Sequence, residues 1–157
     1  MTFELRLAQD ADAERLVKVI NAAFRRAEGH IIDRDRVDLQ LVRSLLAKGE
    51  FLLAENEAAL AGCVYLERRG DRAYLGLLSV APERQNGGVG SMLMREAEQR
   101  SARAGCRSMD LRIINLRGEN HAFYTRRGYV ETGTEPFPAD LQTKLPCHFI
   151  NLSKPLQ

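Results

Sequence analysis

The chain has 157 residues, a length that fits one ordinary domain able to bury a real hydrophobic core. Hydrophobic residues make up 45% of the sequence and charged residues 28%, and no low-complexity tract interrupts it. The formal net charge of +2 is too small to indicate a nucleic-acid-binding protein, so we expect no nucleic acid among its partners.

Cysteine spacing and hydropathy argue against a disulfide-stabilised, metal-binding, secreted or membrane-spanning protein. The three widely separated cysteines, Cys63, Cys106 and Cys147, form neither a CxxC metal pair nor an even disulfide set, so we expect free thiols and no metal site. Residues 1–7 lack the apolar stretch of a signal peptide, and the longest apolar run, residues 58–66, is too short to span a bilayer. The sequence therefore predicts a cytoplasmic protein with no membrane partner.

The first third of the chain predicts one strand and two helices. Residues 3–7 alternate apolar and charged side chains, which is the period of a half-buried strand. Asp10 or Asp12 is expected to cap a first amphipathic helix, and a second is expected from about residue 35 to Gly49. Beyond Gly49 the hydrophobic period changes to that of strands.

Three strands are predicted next, joined by tight turns. They cover residues 51–55, 59–68 and 73–80, with turns at 56–57 and 70–71. The third strand ends in a continuous apolar run, which suits a central strand buried on both faces. This part of the chain is an antiparallel meander.

A glycine-rich turn follows the third strand and opens a helix. Gly87, Gly88 and Gly90 free the backbone and let a ligand approach closely. The unpaired N–H groups at the start of the helix favour an anion at the same place. The helix ends before Gly105 and residues 108–114 form the next strand, so the sequence predicts a right-handed βαβ crossover with parallel pairing.

The last part of the chain predicts a short helix and two strands. The helix covers residues 119–127, and the strands cover 129–132 and 148–152 with a proline-rich loop between them. Since no internal repeat and no linker is present, residues 1–157 are predicted to form a single α+β domain.

Two familiar phosphate-binding loops do not fit the glycine turn. A P-loop needs a lysine followed by serine or threonine after its glycines, and no lysine follows here. A dinucleotide-binding GxGxxG fingerprint needs a third glycine where Leu93 stands. The pattern that is present reads Gln85-x-x-Gly88-x-Gly90.

This pattern resembles motif A of the GNAT superfamily of acyl-CoA-dependent N-acetyltransferases, in its Gln/Arg-x-x-Gly-x-Gly/Ala form. Residues 6–8 and 12–13 resemble the opening strand and helix of that family. Phe-Tyr-x-x-x-Gly-Tyr at residues 123–129 resembles its late Tyr-x-x-x-Gly-Phe motif. The order of predicted elements agrees with the family along nearly the whole chain.

The resemblance implies a GNAT-like α+β fold. Such a fold has a mixed, mostly antiparallel sheet of six to seven strands, flanked by about four helices. Its central parallel pair of strands is splayed into a V. We therefore expect one acetyltransferase domain over residues 1–157, built around the predicted βαβ crossover.

The resemblance also implies acetyl-CoA as co-substrate, in a V between the strand ending near Val80 and the strand beginning near Ser108. Backbone N–H groups of residues 85–91 would hold the pyrophosphate, and the Val80 N–H would polarise the thioester carbonyl. Asn115 and Asn120 are both candidates for the asparagine that contacts pantetheine. The residues implied in cofactor binding are Ser79, Val80, Gln85, Asn86, Gly87, Gly88, Val89, Gly90, Ser91, Asn115 and Asn120. The candidates for contact with the adenosine 3′-phosphate are Arg84, Arg126 and Arg127.

Catalysis has two proton requirements. An alkyl ammonium group with a pKa of about 10.4 must lose a proton before it attacks, and the departing thiolate must be stabilised. The resemblance places the Tyr124 hydroxyl beside the sulfur, where a hydrogen bond would strengthen as the thiolate forms. Many family members carry a glutamate on the strand before the glycine turn, but residues 74–80 contain no carboxylate. Glu67, which shares a strand face with Tyr65, is a candidate base acting through water, and the alternative is that Glu67 is solvated near the end of the hairpin.

The leading hypothesis is an enzyme that moves an acetyl group from acetyl-CoA to a primary amine by direct transfer in a ternary complex. The alternative is a non-catalytic acyl-CoA-binding sensor or partner module of the same fold. The acceptor stays open among a small amine, an amino acid, an antibiotic and a protein N-terminus. Glu28, Asp33 and Glu135 in the loops could attract a cationic amine, and a homodimer is compatible with this interpretation.

Overall fold

The computed structural model describes residues 2–57 and 59–157, in which seven strands form one sheet that carries four helices. The strands are β1 (Glu4–Leu7), β2 (Glu50–Asn56), β3 (Ala59–Arg69), β4 (Arg72–Val80), β5 (Ser108–Ile114), β6 (Val130–Pro136) and β7 (His148–Pro155). The helices are α1 (Ala13–Glu28), α2 (Leu39–Lys48), α3 (Val89–Arg103) and α4 (Gly118–Thr125).

The order of strands across the sheet is β1-β2-β3-β4-β5-β7-β6. All neighbours are antiparallel except β4 and β5, which are joined through α3 and run parallel. The predicted mixed, mostly antiparallel sheet with one parallel pair is therefore confirmed. The insertion of β7 between β5 and β6 was not part of the sequence prediction.

The parallel pair separates soon after it begins. β4 and β5 pair only over residues 72–74 of β4, although β4 continues to Val80 and β5 to Ile114. Just beyond the last paired residue, β4 contains one residue more than the β3 segment it faces, which is a β-bulge. Leu77 lies in this bulge with φ of 54°, a backbone conformation that non-glycine residues rarely adopt. The bulge coincides with the divergence that opens the V between the two strands.

Helices cover both faces of the sheet, so its central strands are buried on both sides. Along β2, Phe51 and Leu53 pack in the cluster with α1 and α2, while Leu52 and Ala54 pack in the cluster with α3. Burial on both faces explains why consecutive residues of β2 are apolar, although their side chains point to alternate faces of the sheet.

Close packing of α3 against the sheet depends on a glycine of β3. A Cβ atom added at Gly62 would lie 2.7 Å from the Ser79 carbonyl oxygen and 3.0 Å from Val89 Cγ1. Real Cβ atoms essentially never approach to 2.7 Å, so a larger residue would displace the β4 main chain at Ser79, and it would also crowd Val89 in the first turn of α3. Gly62 therefore sets where the first turn of α3 lies.

The start of α1 differs from its prediction. Asp10–Asp12 form a 3₁₀ turn, and Asp12 lies at the N-cap position of α1 without a side-chain capping bond to the helix. Its carboxylate instead accepts hydrogen bonds from Arg6 at 2.8 and 2.9 Å and from Arg15 at 3.2 Å. The hydrogen bonds from Arg6 lower the pKa of Asp12 to about 2. Asp12 thus ties β1 to α1 instead of capping the helix.

Several other element ends differ from those predicted. The second helix begins at Leu39 and not near residue 35, because Asp38 caps it by accepting the Leu41 N–H at 2.8 Å. The last two strands are longer than predicted, and β6 includes Pro136 of the presumed loop. Among the described residues, no helix combines the length and apolar character needed to cross a membrane.

Candidate active site

The divergence of β4 from β5 leaves main-chain groups of β4 facing an open cleft. The Ala81 N–H donates to the Ala61 carbonyl oxygen at 2.8 Å, towards β3. Because N–H directions alternate along a strand, the Val80 N–H points the opposite way, into the cleft. This is the orientation that the family resemblance assigned to Val80.

The glycine turn beyond β4 has the geometry of an anion site. Asn86 and Gly88 have φ of 67° and 84°, so the chain makes a sharp left-handed turn just before α3 begins at Val89. The first hydrogen bond from α3 back to the turn runs from the Met92 N–H to the Gly88 carbonyl oxygen at 3.0 Å. N–H groups earlier in the helix have no helical carbonyl to bind and are available to an anion.

A cavity of about 490 Å³ lies between α1, the end of β4, the glycine turn and α4. We call it the cofactor cavity. Many of the residues implied in cofactor binding line it, which brings the turn and α4 to one place. These residues are Val80, Gln85, Asn86, Gly88, Val89, Gly90, Ser91 and Asn120.

Three of the implied cofactor residues do not line this cavity. Ser79 is buried, and its hydroxyl donates to the Leu77 carbonyl oxygen at 2.9 Å inside the bulge. The Asn115 side-chain oxygen accepts the His148 N–H at 2.8 Å, which joins the end of β5 to β7. Gly87 belongs to the turn but does not face the cavity. Between the two candidate asparagines, the structure therefore places Asn120 in the cleft and Asn115 outside it.

Arginines surround the outer part of the cofactor cavity. Arg84, Arg126 and Arg127 all line it. The Arg127 guanidinium lies 3.6 Å from the Phe123 ring centre, donates to the Phe123 carbonyl oxygen at 2.8 Å and also hydrogen bonds with the Ser91 hydroxyl. This arginine is held in place beside the first turn of α3, so positive charge and helix N–H groups meet at the same site.

Tyr124 lies at the inner end of the cleft. Its ring packs edge-on against Phe123 and Tyr129, with ring centres 5.1 and 5.8 Å apart, and it lines a cavity of about 120 Å³ between the diverging strands. We call this the inner cavity. Burial raises the pKa of Tyr124 above its ordinary value, so the phenol stays protonated at neutral pH. The residue is both a packed core tyrosine and a hydroxyl next to open space.

Glu67 does not line the cofactor cavity or the inner cavity. Its carboxylate accepts the Tyr65 hydroxyl at 2.7 Å and the Arg69 guanidinium at 2.5 Å. These hydrogen bonds, with that from Arg69 the larger effect, hold the pKa of Glu67 below its ordinary value. The predicted shared face of Tyr65 and Glu67 is correct, but both carboxylate oxygens are engaged away from Tyr124.

A different carboxylate reaches the inner cavity. Glu28, the last residue of α1, is buried and accepts a hydrogen bond from Arg117 at 2.8 Å. Within residues 2–57 and 59–157, Glu28 is the one carboxylate that lines the inner cavity. Arg117, just before α4, lines both the inner and the cofactor cavity. Sequence reasoning missed this pair because 89 positions separate its members, and no local motif links them.

A third cavity, of about 210 Å³, continues from the inner one towards the surface. We call it the outer cavity. Its walls include Phe137 and Phe149, whose rings stack at 4.3 Å. The residues shared by the inner and outer cavities are Phe24, Glu28, Arg36, Arg112, Ile114 and Phe149.

The three cavities adjoin one another in a row, and we call this row the passage. The cofactor and inner cavities share Phe24, Leu78, Arg117 and Asn120, and the inner and outer cavities share the six residues named above. Tyr124 and Glu28 lie where the passage crosses the opening between β4 and β5. Two substrates entering from opposite ends would therefore meet beside a protonated phenol and a carboxylate.

Comparison with known families gives one match. The sequence matches the model of the family described as "Acetyltransferase (GNAT) domain" over residues 47–131, which run from the end of α2 into β6. No curated protein sequence is significantly similar to this chain.

Solved structures share the fold at low sequence identity. The ribosomal-protein-S18-alanine N-acetyltransferase from Escherichia coli superposes with a TM-score of 0.80 at 14% identity, covering 99% of this chain and 95% of that one. The ribosomal-protein-alanine N-acetyltransferase from Brucella melitensis gives 0.79 at 21% identity, over 98% and 99% of the two chains. The putative acetyltransferase yncA from Salmonella typhimurium, solved with its cofactor acetyl-CoA, gives 0.78 at 18% identity, over 100% and 95%. These likenesses concern the fold.

The different positions of the two asparagines predict different effects of their removal. Asn120→Ala should weaken acetyl-CoA binding by about two- to tenfold, which is the range for loss of one hydrogen bond, and should leave the melting temperature unchanged. Asn115→Ala should instead lower the melting temperature and leave the acetyl-CoA Kd unchanged, because its side chain joins β5 to β7. Isothermal titration calorimetry and thermal melting of both variants check this; the reverse pattern would exchange the two assignments.

Proposed function

This chain belongs to the GNAT acetyltransferase family, since the family model matches more than half of its residues, and on this premise we propose that it is an N-acetyltransferase. It would move the acetyl group of acetyl-CoA to a primary amine by direct transfer in a ternary complex. The observation that carries this proposal is that Tyr124 lines the inner cavity, which adjoins the cofactor cavity on one side and the outer cavity on the other.

The cofactor side of the proposal rests on main-chain groups. N–H groups of the glycine turn and the first turn of α3 would bind the pyrophosphate, with Arg127 supplying charge beside them. The Val80 N–H would donate to the thioester carbonyl oxygen as negative charge develops there. Asn120 is the asparagine that we assign to pantetheine.

Tyr124 would stabilise the leaving group. A phenol whose pKa is raised is a hydrogen-bond donor throughout the neutral range, and a thiolate accepts such a bond more strongly than a thioester sulfur does. Complete proton transfer to sulfur would be uphill, because the pKa of a free thiol, about 8.5, is lower than that of a phenol. We therefore assign a strengthening hydrogen bond to Tyr124.

Glu28 is our candidate for the group that receives the ammonium proton. It is the carboxylate beside the opening between the strands, and Arg117 neutralises its charge while the site is without an amine. Glu67, the base expected from the sequence, is engaged with Tyr65 and Arg69 outside the passage. A base must reach its proton directly or through one water, and Glu28 meets that geometric requirement better.

The proposed reaction balances without an enzyme-bound intermediate. The acceptor ammonium loses one proton to Glu28, and the amine nitrogen forms a bond to the acetyl carbonyl carbon. The carbon–sulfur bond breaks and its electron pair leaves on sulfur, where Tyr124 donates a hydrogen bond. The nitrogen loses its second proton as the amide forms, and CoA leaves as the thiol once a proton reaches the sulfur, directly or through water.

We propose this activity for one domain formed by residues 1–157 and acting in the cytoplasm. Buried Cys63 and Cys106 and half-buried Cys147 are free thiols, which suits a reducing compartment. We propose an amine as the second substrate, and neither nucleic acid nor a membrane as a partner. A monomer suffices for the chemistry, and a homodimer is compatible with it.

Removal of the Tyr124 hydroxyl tests the proposed activity. Release of CoA thiol from acetyl-CoA is followed with a panel of primary amines, and Tyr124→Phe should lower kcat by about 10- to 100-fold without changing the acetyl-CoA Kd. Tyr129→Phe is the matched control, because that buried hydroxyl donates to Glu98 and lies outside the passage, so stability should fall while kcat holds. A protein that binds acetyl-CoA but releases no thiol with any amine would instead be an acyl-CoA-binding module.

Two glutamine substitutions identify the base. Glu28→Gln should lower kcat by about 100-fold or more, with acetyl-CoA affinity retained. Glu67→Gln should stay within about twofold of the unmodified enzyme. Measured kcat values of both variants decide between the two glutamates. A large loss of kcat confined to Glu67→Gln would restore the assignment expected from the sequence.

A further inference from the structure

The inner and outer cavities together form the acceptor chamber, and its charge is unusual for a site that receives an ammonium group. Arg36 and Arg112 line both cavities. The one carboxylate that also lines both, Glu28, is already neutralised by Arg117 at 2.8 Å. The outer cavity is also lined by Arg34 and by Asp35, and Asp35 forms an ion pair with Arg25. The lining of the chamber therefore carries a net positive charge.

Neither of the two arginines is strongly paired with an acid. Arg36 forms no salt bridge with any carboxylate in the described ranges 2–57 and 59–157. The nearest carboxylate oxygen to Arg112, on Glu135, is 3.8 Å away, and both side chains are well exposed, so this pair contributes little. Both guanidinium groups keep hydrogen-bonding capacity for a ligand.

Aromatic rings hold both guanidinium groups at the chamber wall. The Arg112 guanidinium lies 4.1 Å from the Phe149 ring centre, and that of Arg36 lies 5.5 Å from the Phe24 ring centre. Such stacking leaves the in-plane N–H groups of an arginine free to bind an oxyanion in a two-point arrangement. The planar guanidinium group matches the two oxygens of a carboxylate better than a point positive charge would.

The size of the chamber restricts what fits it. The inner and outer cavities hold about 120 and 210 Å³, at or below the lower end of the 300–1,000 Å³ range of pockets for drug-sized ligands. A folded protein surface would not enter, whereas a small molecule with an apolar body would contact Phe24, Phe137 and Phe149.

We propose that the acceptor is a small zwitterionic amine of the amino-acid class, whose carboxylate binds Arg36 and Arg112 while its amine points to Glu28 and Tyr124. This inference rests on the proposed function and specifies its substrate class. A simple alkyl ammonium would be repelled by the two guanidinium groups, whereas a carboxylate on the same molecule converts that repulsion into attraction. The arginines would thus select the acceptor and orient its nitrogen.

Matched acceptors test the substrate class. L-Phenylalanine and L-methionine are each compared with their own carboxamides in the CoA-release assay. The α-amino group of an amino-acid carboxamide is less basic than that of the free amino acid and loses its proton more readily. Intrinsic reactivity towards acetyl-CoA therefore favours the carboxamide. We expect the free acids nonetheless to have kcat/KM values at least about tenfold higher, because the carboxylate makes charge-assisted bonds.

Variants of the two arginines test the site. Arg36→Gln and Arg112→Gln should each raise KM for the free acid by about tenfold or more and remove its advantage over the amide, with kcat and acetyl-CoA affinity little changed. Arg43→Gln, an exposed change on α2 outside the chamber, is the control and should change neither constant. Melting curves identify a variant that fails to fold. Arg36→Lys or Arg112→Lys then replaces that variant, because lysine keeps the positive charge but lacks the planar guanidinium group that binds a carboxylate at two points.

Binding without chemistry separates this inference from the proposed function. Calorimetry of the acid and of its amide is done with protein saturated with CoA, which has no acetyl group to transfer. Suppose that thiol is released but the amides have kcat/KM values equal to those of the acids, or that a peptide N-terminus has a far higher kcat/KM than every free amino acid. The inference is then wrong and the proposed function stands. If no acceptor releases thiol, the proposed function fails. In that case, a heat of binding for the free acid but not for its amide supports an amino-acid site, and no heat of binding for the acid overturns the inference.

Discussion

The site depends on one interruption of a hydrogen-bond ladder. Parallel β4 and β5 begin as neighbours and pair over residues 72–74 only, after which β4 bulges and Leu77 adopts a left-handed backbone conformation. Such a conformation costs about 1–3 kcal/mol and is retained where surrounding structure enforces it. Here the β3–β4 ladder on one side and the β5–β7 ladder on the other hold the two strands in place while they separate. The result is an opening through the middle of a well-packed sheet, with unpaired main-chain groups on its walls.

The two ends of this opening have different chemistry. On the α3 side, helix N–H groups and Arg127 favour the phosphates of a nucleotide cofactor. On the other side, aromatic rings and the guanidinium groups of Arg36 and Arg112 surround a chamber of modest volume. Glu28 and Arg117 lie between the two ends as a buried ion pair. Because the pair is electrically neutral, it places a carboxylate in the lining of the inner cavity without an isolated buried charge.

The sequence predicted the elements that local patterns determine. The βαβ crossover, the glycine turn before α3 and the late helix were predicted from the glycines at 87, 88 and 90, the apolar run of β4 and the Phe-Tyr motif at 123–124. Features that arise from contacts between residues distant in the sequence could not be predicted from it. Nothing near Glu28 indicates that Arg117 will bind it, and Leu77 looks like an ordinary strand residue although it forms the bulge. Asn115 and Asn120 were indistinguishable until the position of β7 showed that Asn115 bonds to His148. The sequence predicted that Asp10 or Asp12 caps the first helix, whereas the Asp12 side chain binds Arg6 because β1 brings that arginine to it.

The central claim is that the unpaired edge of β4 receives acetyl-CoA, and amide hydrogen exchange at Val80 tests it most directly. In the free protein the Val80 N–H faces the opening and should exchange quickly, while the Ala81 N–H is protected by its bond to Ala61. Saturation with acetyl-CoA should slow exchange at Val80 by about tenfold or more and leave Ala81 unchanged. Equal exchange at Val80 with and without bound acetyl-CoA would contradict the account.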